Sequence, residues 1–113
     1  MEKNLKSDMK FGQEHYRPLI KGLTIQESEI NGLGLHATEN WSAGVYLGDT
    51  HIWNDYVNDW IRTPLGGFIN HSNNPNCFIW KDTHRRELYI VKPIKAGEEL
   101  TVYYTVGYDD IIQ

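Results

Sequence analysis

The sequence predicts a small, mostly β domain with one short helix. Three observations predict it. Short runs alternate apolar with polar residues, as in Leu23-Thr24-Ile25-Gln26-Glu27, and a period of two marks a strand with one buried face. Turn signals separate the runs at Asn31-Gly32, Ser42-Ala43-Gly44 and Lys95-Ala96-Gly97. Only one stretch has helical spacing: Trp53, Tyr56, Val57, Trp60 and Ile61 would share one helix face.

In chain order, residues 1–17 form a polar arm without sustained periodicity, and residues 18–113 form the domain. Leu23 to Thr38 reads as a strand, a Gly-rich turn and a second strand, because Leu33, Leu35 and Ala37 alternate with Gly34, His36 and Thr38. Val45 to Ile52 reads as a third strand with a bend at Gly48-Asp49. The helix is expected from about Asn54, a plausible cap, to Arg62, with Thr63-Pro64 ending it. Asn76 to Lys81 and Glu87 to Lys92 pair as a hairpin across a five-residue loop. Glu98 to Tyr104 is a last strand dense in β-formers, and residues 105–113 are a tail with apolar ends, Tyr108, Ile111 and Ile112.

Composition narrows the function. The length of 113 residues fits one domain. A net charge of −4 disfavours a nucleic-acid binder, which needs a basic footprint, and is compatible with a basic peptide partner. A single cysteine, Cys77, allows no internal disulfide and no cysteine-cluster zinc site; it reads as a small buried hydrophobe. The histidines, His15, His36, His51, His71 and His84, lack metal-ligand spacing, so no metal is expected. The N-terminus has no apolar signal segment and no apolar run approaches a membrane span, so an intracellular soluble protein is expected, nuclear or cytoplasmic alike.

The stretch Asn70-His71-Ser72-Asn73-Asn74-Pro75-Asn76-Cys77 is unusual: a polar, Pro-restrained loop between the apolar pair Phe68-Ile69 and a β-rich run. Polar side chains in such a setting must be hydrogen-bonded where buried. Either they brace a crossing of the chain's own backbone, or they present polar groups to a ligand, or both.

Three pieces in this order resemble the SET-domain family of protein-lysine methyltransferases. They are Gly32-Leu33-Gly34-Leu35, then Phe68-Ile69-Asn70-His71-Ser72 with Pro75-Asn76, then Ile94 with Gly97-Glu98-Glu99-Leu100-Thr101 and Tyr104. The resemblance runs from about Leu23 to Tyr104. It implies short sheets around a pseudoknot, in which the C-terminal strand threads beneath the Asn-His-Ser loop. It also implies S-adenosylmethionine as methyl donor and a lysine of a protein or peptide substrate, histone-like or otherwise, as acceptor.

The residue roles implied by the resemblance are specific. Tyr104 matches the catalytic tyrosine. Gly32 and Gly34 match glycines whose backbone approaches the methionine part of the cofactor, with Leu33 and Leu35 as turn neighbours. Asn70 and His71 match the pair that holds the cofactor's amino end and adenine. Tyr108 would join the cofactor site as residues 105–113 close it. Tyr46, Phe68 and Tyr104 would wall the substrate channel. Methyl transfer from a sulfonium needs a neutral amine held in line, and an apolar, aromatic channel disfavours the ammonium.

The sequence also departs from the family pattern. Only 35 residues separate Gly34 from Asn70, where the family carries a longer insert, so the Asn54–Arg62 helix is the expected stand-in. Gly67 stands where an arginine is frequent and Tyr103 where an aspartate is; strand alternation points Tyr103 to the core face. These departures leave a second reading, a SET-like module that binds a peptide or the cofactor without turnover. A third is a homodimer in which the aromatic helix completes a partner's groove.

Overall fold

The computed structural model describes residues 18–104. The arm over residues 1–17 and the tail over residues 105–113, including Tyr108, lie outside the described residues. The elements are β1 (Leu23–Glu27), β2 (Leu33–Ala37), β3 (Tyr46–Asn54), β4 (Asp59–Arg62), α1 (Pro64–Gly67), β5 (Asn70–His71), β6 (Cys77–Lys81), β7 (Arg85–Ile90) and β8 (Thr101–Val102). They make a two-stranded sheet β1-β2, a four-stranded sheet β4-β3-β7-β6 and a two-stranded sheet β5-β8.

Local chemistry sets most of these elements. The first hairpin pairs Leu23 with Ala37 and Ile25 with Leu35, so its apolar positions share one face. The bend read at Gly48-Asp49 is a pair of register shifts in β3 where it meets β7, one between Tyr46 and Gly48, the other between Asp49 and His51. The β6–β7 hairpin forms as expected, but its loop shrinks to residues 82–84 because Arg85 and Arg86 pair with β3 and β6.

The expected helix from Asn54 to Arg62 does not form; that segment is the β3–β4 hairpin. Turn chemistry overrides the helical spacing. The Asn54 side-chain oxygen accepts from the Val57 amide at 3.1 Å, Asn58 takes a left-handed φ of 55°, and the Asp59 carboxylate accepts from the Trp60 amide at 2.7 Å. Trp53 and Trp60 then meet across the hairpin edge-to-face, 5.5 Å between centroids. Tyr56, expected on the apolar face of that helix, is 97% exposed at the turn.

The short helix starts where the expected one was to stop. Thr63 is its N-cap, the side chain accepting from the Gly66 amide at 3.3 Å, and Pro64 occupies the first turn. The Thr63 hydroxyl also lies 2.7 Å from the Asp49 carbonyl and 3.2 Å from that of Thr50, which ties α1 to β3. The packing there admits only glycine: a Cβ on Gly66 would sit 2.9 Å from the Thr50 Cβ and 3.0 Å from the Thr50 carbonyl carbon.

The expected strand Glu98–Tyr104 is regular only at Thr101–Val102, which runs parallel to Asn70–His71. Just before it the chain lies along the first hairpin: the Leu100 amide donates to the Leu35 carbonyl at 2.8 Å, and the Ala37 amide to the Glu98 carbonyl at 2.9 Å. The Asn76 side chain clamps the same segment, donating to the Glu99 carbonyl and accepting from the Thr101 amide, each at 2.9 Å. The polar loop therefore does brace a crossing of the backbone. The core gathers around this crossing: Leu35, Leu88, Ile94, Leu100 and Val102 are at most 1% exposed, and Cys77 is buried with them.

One buried polar group sets a pH dependence. His51 on β3 is buried, with its Nδ1 at 2.9 Å from the Thr50 hydroxyl, which in turn donates to the Arg86 carbonyl. Burial first, then the charges of Arg62 and Arg86, push His51 from 6.5 down to about 4. Below pH 6.5 the unfolded chain takes up a proton that the folded chain refuses until about pH 4. The stabilising contribution of neutral His51 is therefore complete above pH 6.5 and is lost as pH falls, by up to about 3 kcal/mol. Denaturant unfolding at pH 7 and pH 4.5 should show a steeper loss for the wild type than for a folded His51→Phe variant. Equal losses would contradict it.

Candidate functional site

The site lies where the first hairpin, α1 and the crossing of β5 and β8 meet. A cavity of about 380 Å³ opens there, within the range of small-molecule sites. It is lined by Gly32, Leu33, Phe68, Asn70 and Tyr104, all singled out from the sequence, together with Asn31, Arg62, Gly66, Gly67 and Ile69. Leu35 is not among the lining residues; its side chain is fully buried in the core, and its backbone carries the crossing strand through Leu100.

Tyr104 is held from both ends. Its hydroxyl donates to the Ile69 carbonyl at 2.8 Å, and its amide donates to His71 Nδ1 at 2.8 Å. A ring nitrogen that accepts from an amide is unprotonated, so His71 is the neutral Nε2–H tautomer, donating to the Asn73 side-chain oxygen at 3.1 Å. The His71 ring packs 5.1 Å from that of Tyr104 and 4.9 Å from that of Tyr103. His71 thus aims Tyr104, a part its sequence context did not disclose. Tyr103, expected on the core face, is 55% exposed. Burial raises the Tyr104 phenol above its ordinary value, and the nearby Arg62 charge opposes that rise.

Asn70 is fixed just as closely. Its amide nitrogen donates to Glu99 Oε2 at 2.8 Å and lies 3.1 Å from both Ser28 Oγ and the Asn31 carbonyl. The Ser28 hydroxyl is 2.8 and 2.9 Å from the two Glu99 oxygens, and it also receives the Ile30 amide at 2.8 Å. One carboxylate therefore joins the turn of the first hairpin to the Asn70 strand. Gly34 makes room for it: a Cβ there would collide with Glu99 Oε2, lie 2.8 Å from Glu99 Cδ and 3.0 Å from Ser28 Cβ. The Glu99 carboxylate thus occupies the space a side chain at position 34 would need, and Gly34 itself does not line the cavity.

Tyr46 stands apart from this cavity's lining. It lies on the four-stranded sheet, 46% exposed, with its ring 5.3 Å from that of Tyr89 and its hydroxyl donating to Asp49 at 2.7 Å. Partial burial and the Asp49 carboxylate raise its phenol to about 12. Of the site residues that sequence reasoning missed, Glu99 lies inside a motif already singled out. Ser28 and Arg62 carry no local signal. Among the described residues no cluster of histidine, cysteine and carboxylate side chains could hold a metal ion, and no helix is long and apolar enough to cross a membrane.

These features define the architecture of a SET domain, and comparison with known proteins agrees. The SET-domain family model matches residues 36–105, so the chain belongs to the SET-domain family. It is 43% identical over 49 residues to a SET and MYND domain-containing protein of Dictyostelium discoideum. It is 39% identical over 56 residues to an H3 lysine-36 specific histone-lysine N-methyltransferase of Chaetomium globosum. The matched segments cover 42% and 46% of this chain but 14% and 6% of those proteins. Among solved structures, a Plasmodium falciparum protein assigned as a histone methyltransferase superposes with a TM-score of 0.59 at 20% identity, covering 78% of this chain and 96% of that one. The methyltransferase domain of human PR domain-containing protein 2 gives 0.58 at 18% identity, covering 77% and 79%. At such identities the superpositions speak for the fold.

Proposed function

We propose that this chain transfers methyl groups from S-adenosylmethionine to a lysine side chain of a protein substrate. The observation that carries the proposal is the meeting of Gly32, Leu33, Asn70, Phe68 and Tyr104, from three distant stretches of sequence, around one cavity. The names of the related histone-lysine methyltransferases support the reaction class, and the net charge of −4 suits a basic substrate segment.

The residues present suit the cofactor. The Asn70 nitrogen is committed to oxygens of the chain, which leaves its side-chain carbonyl to accept from an ammonium group. Bound there, S-adenosylmethionine supplies an electrophilic methyl group on sulfonium sulfur.

The chain's own contribution is positioning and desolvation. Phe68, Ile69 and the Tyr104 ring surround an incoming amine with apolar and aromatic surface, which favours its neutral, nucleophilic form. The Tyr104 hydroxyl donates to Ile69, so on its other side the oxygen is an acceptor, suited to hold the amine by an N–H. A phenol raised by burial stays protonated at neutral pH and acts through orientation. Of the residues singled out for the channel, Tyr46 lies outside this lining; Tyr108, singled out for the cofactor site, lies outside the described residues.

Incubation with methyl-labelled cofactor and a panel of basic proteins, histones included, should give label on lysine. Cofactor binding without transfer to any of them would favour a binding module instead.

A further inference from the structure

Among the described residues Arg62 is the only charged one lining the cavity. It ends β4, opposite His51, and the backbone after it is pinned by the Thr63 hydroxyl on the carbonyls of Asp49 and Thr50. Among the described residues no carboxylate pairs with its guanidinium. No Asp or Glu among the described residues lines the cavity to neutralise it. Gly67, also in the lining, has open space where a Cβ would point, so no side chain from that position crowds the cavity. Its charge is felt both at Tyr104 and at His51.

An unpaired guanidinium in an otherwise neutral site is an anion receptor, and a carboxylate matches its planar donors best. We infer that Arg62 receives the carboxylate of the cofactor's methionine moiety, opposite the Asn70 carbonyl that accepts its ammonium. This rests on the methyltransferase reading and adds a residue to it. The same positive charge repels an ammonium, which further favours entry of the substrate amine in its neutral form.

The test is calorimetric binding of two compounds to the full chain: S-adenosylmethionine and its decarboxylated analogue, which keeps the sulfonium, adenosine and amine. Arg62→Ala is expected to weaken S-adenosylmethionine about tenfold to a hundredfold, the range for a hydrogen-bonded charged group. The analogue should bind wild type and variant within about twofold of each other, and Arg62→Lys should recover part of the loss, since it keeps the charge without the fork. If Arg62→Ala weakens both compounds equally, or neither, the assignment of Arg62 is overturned while the methyltransferase reading stands. If the wild type binds neither compound, both fall.

Discussion

Replacing Tyr104 with phenylalanine is expected to slow methyl transfer about a hundredfold or more, the typical cost of removing one positioned hydrogen-bonding group from an active site. The ring would keep its packing against His71 at 5.1 Å, and the amide would keep its bond to His71 Nδ1. What disappears is the hydroxyl and its 2.8 Å bond to the Ile69 carbonyl, at a stability cost of about 1 kcal/mol. Cofactor affinity should change less than about threefold, well inside the roughly 1 kcal/mol scale of one hydrogen bond. Single-turnover kinetics beside calorimetry would separate the two effects. Because burial raises the phenol, the wild-type rate should climb with pH as the substrate amine loses its proton, with no inflection from Tyr104 below its ordinary value of 10. An inflection below that value, absent from the phenylalanine variant, would make Tyr104 a phenolate base instead.

Gly34→Ala should destabilise the fold by about 2–3 kcal/mol, because the new methyl group falls on the Glu99 carboxylate and lies 3.0 Å from Ser28 Cβ. Relief requires Glu99 to abandon Ser28 and Asn70, which loosens Asn70 in the cavity, so cofactor affinity should fall with stability. The decisive measurement is a double-mutant cycle. Glu99→Ala alone costs the same hydrogen bonds, and it removes the two closest of the three contacts a methyl group at position 34 would meet, leaving Ser28 Cβ at 3.0 Å. Gly34→Ala should therefore cost little more in the Glu99→Ala background, a coupling of about 1–2 kcal/mol. Additive losses would show that position 34 is glycine for some reason other than the carboxylate.

Much of the site was legible because its residues sit in short motifs with demanding local chemistry. Asn70, Phe68, Gly32 and Tyr104 could be named because the motifs they sit in resemble those of the SET-domain family, and the structure gathers them round one cavity. The β-hairpins at Leu23–Ala37 and Cys77–Ile90 were equally legible, since alternation and turn residues act within a few positions of each other. The Asn54–Arg62 segment was misread for a physical reason. Residues 53, 56, 57, 60 and 61 satisfy a helical period by coincidence, while Asn54, Asn58 and Asp59 bond to the backbone in a turn and bring Trp53 onto Trp60. The period describes which residues are apolar, and the turn residues decide where the chain reverses.

By itself, then, the sequence determined the strand-rich class and the turns, matters of local backbone preference and short-range patterning, and, through motifs that resemble the SET-domain family's, which residues to look at. Only the tertiary structure decided what those residues touch. It placed Glu99 in the space Gly34 vacates, turned the His71 ring onto the Tyr104 amide, and brought Arg62 into the cavity. Each contact joins positions some 30 to 70 residues apart. Such contacts exist only once the C-terminal segment has passed the Asn70 loop and lies beside β5, a long-range arrangement that no local preference encodes.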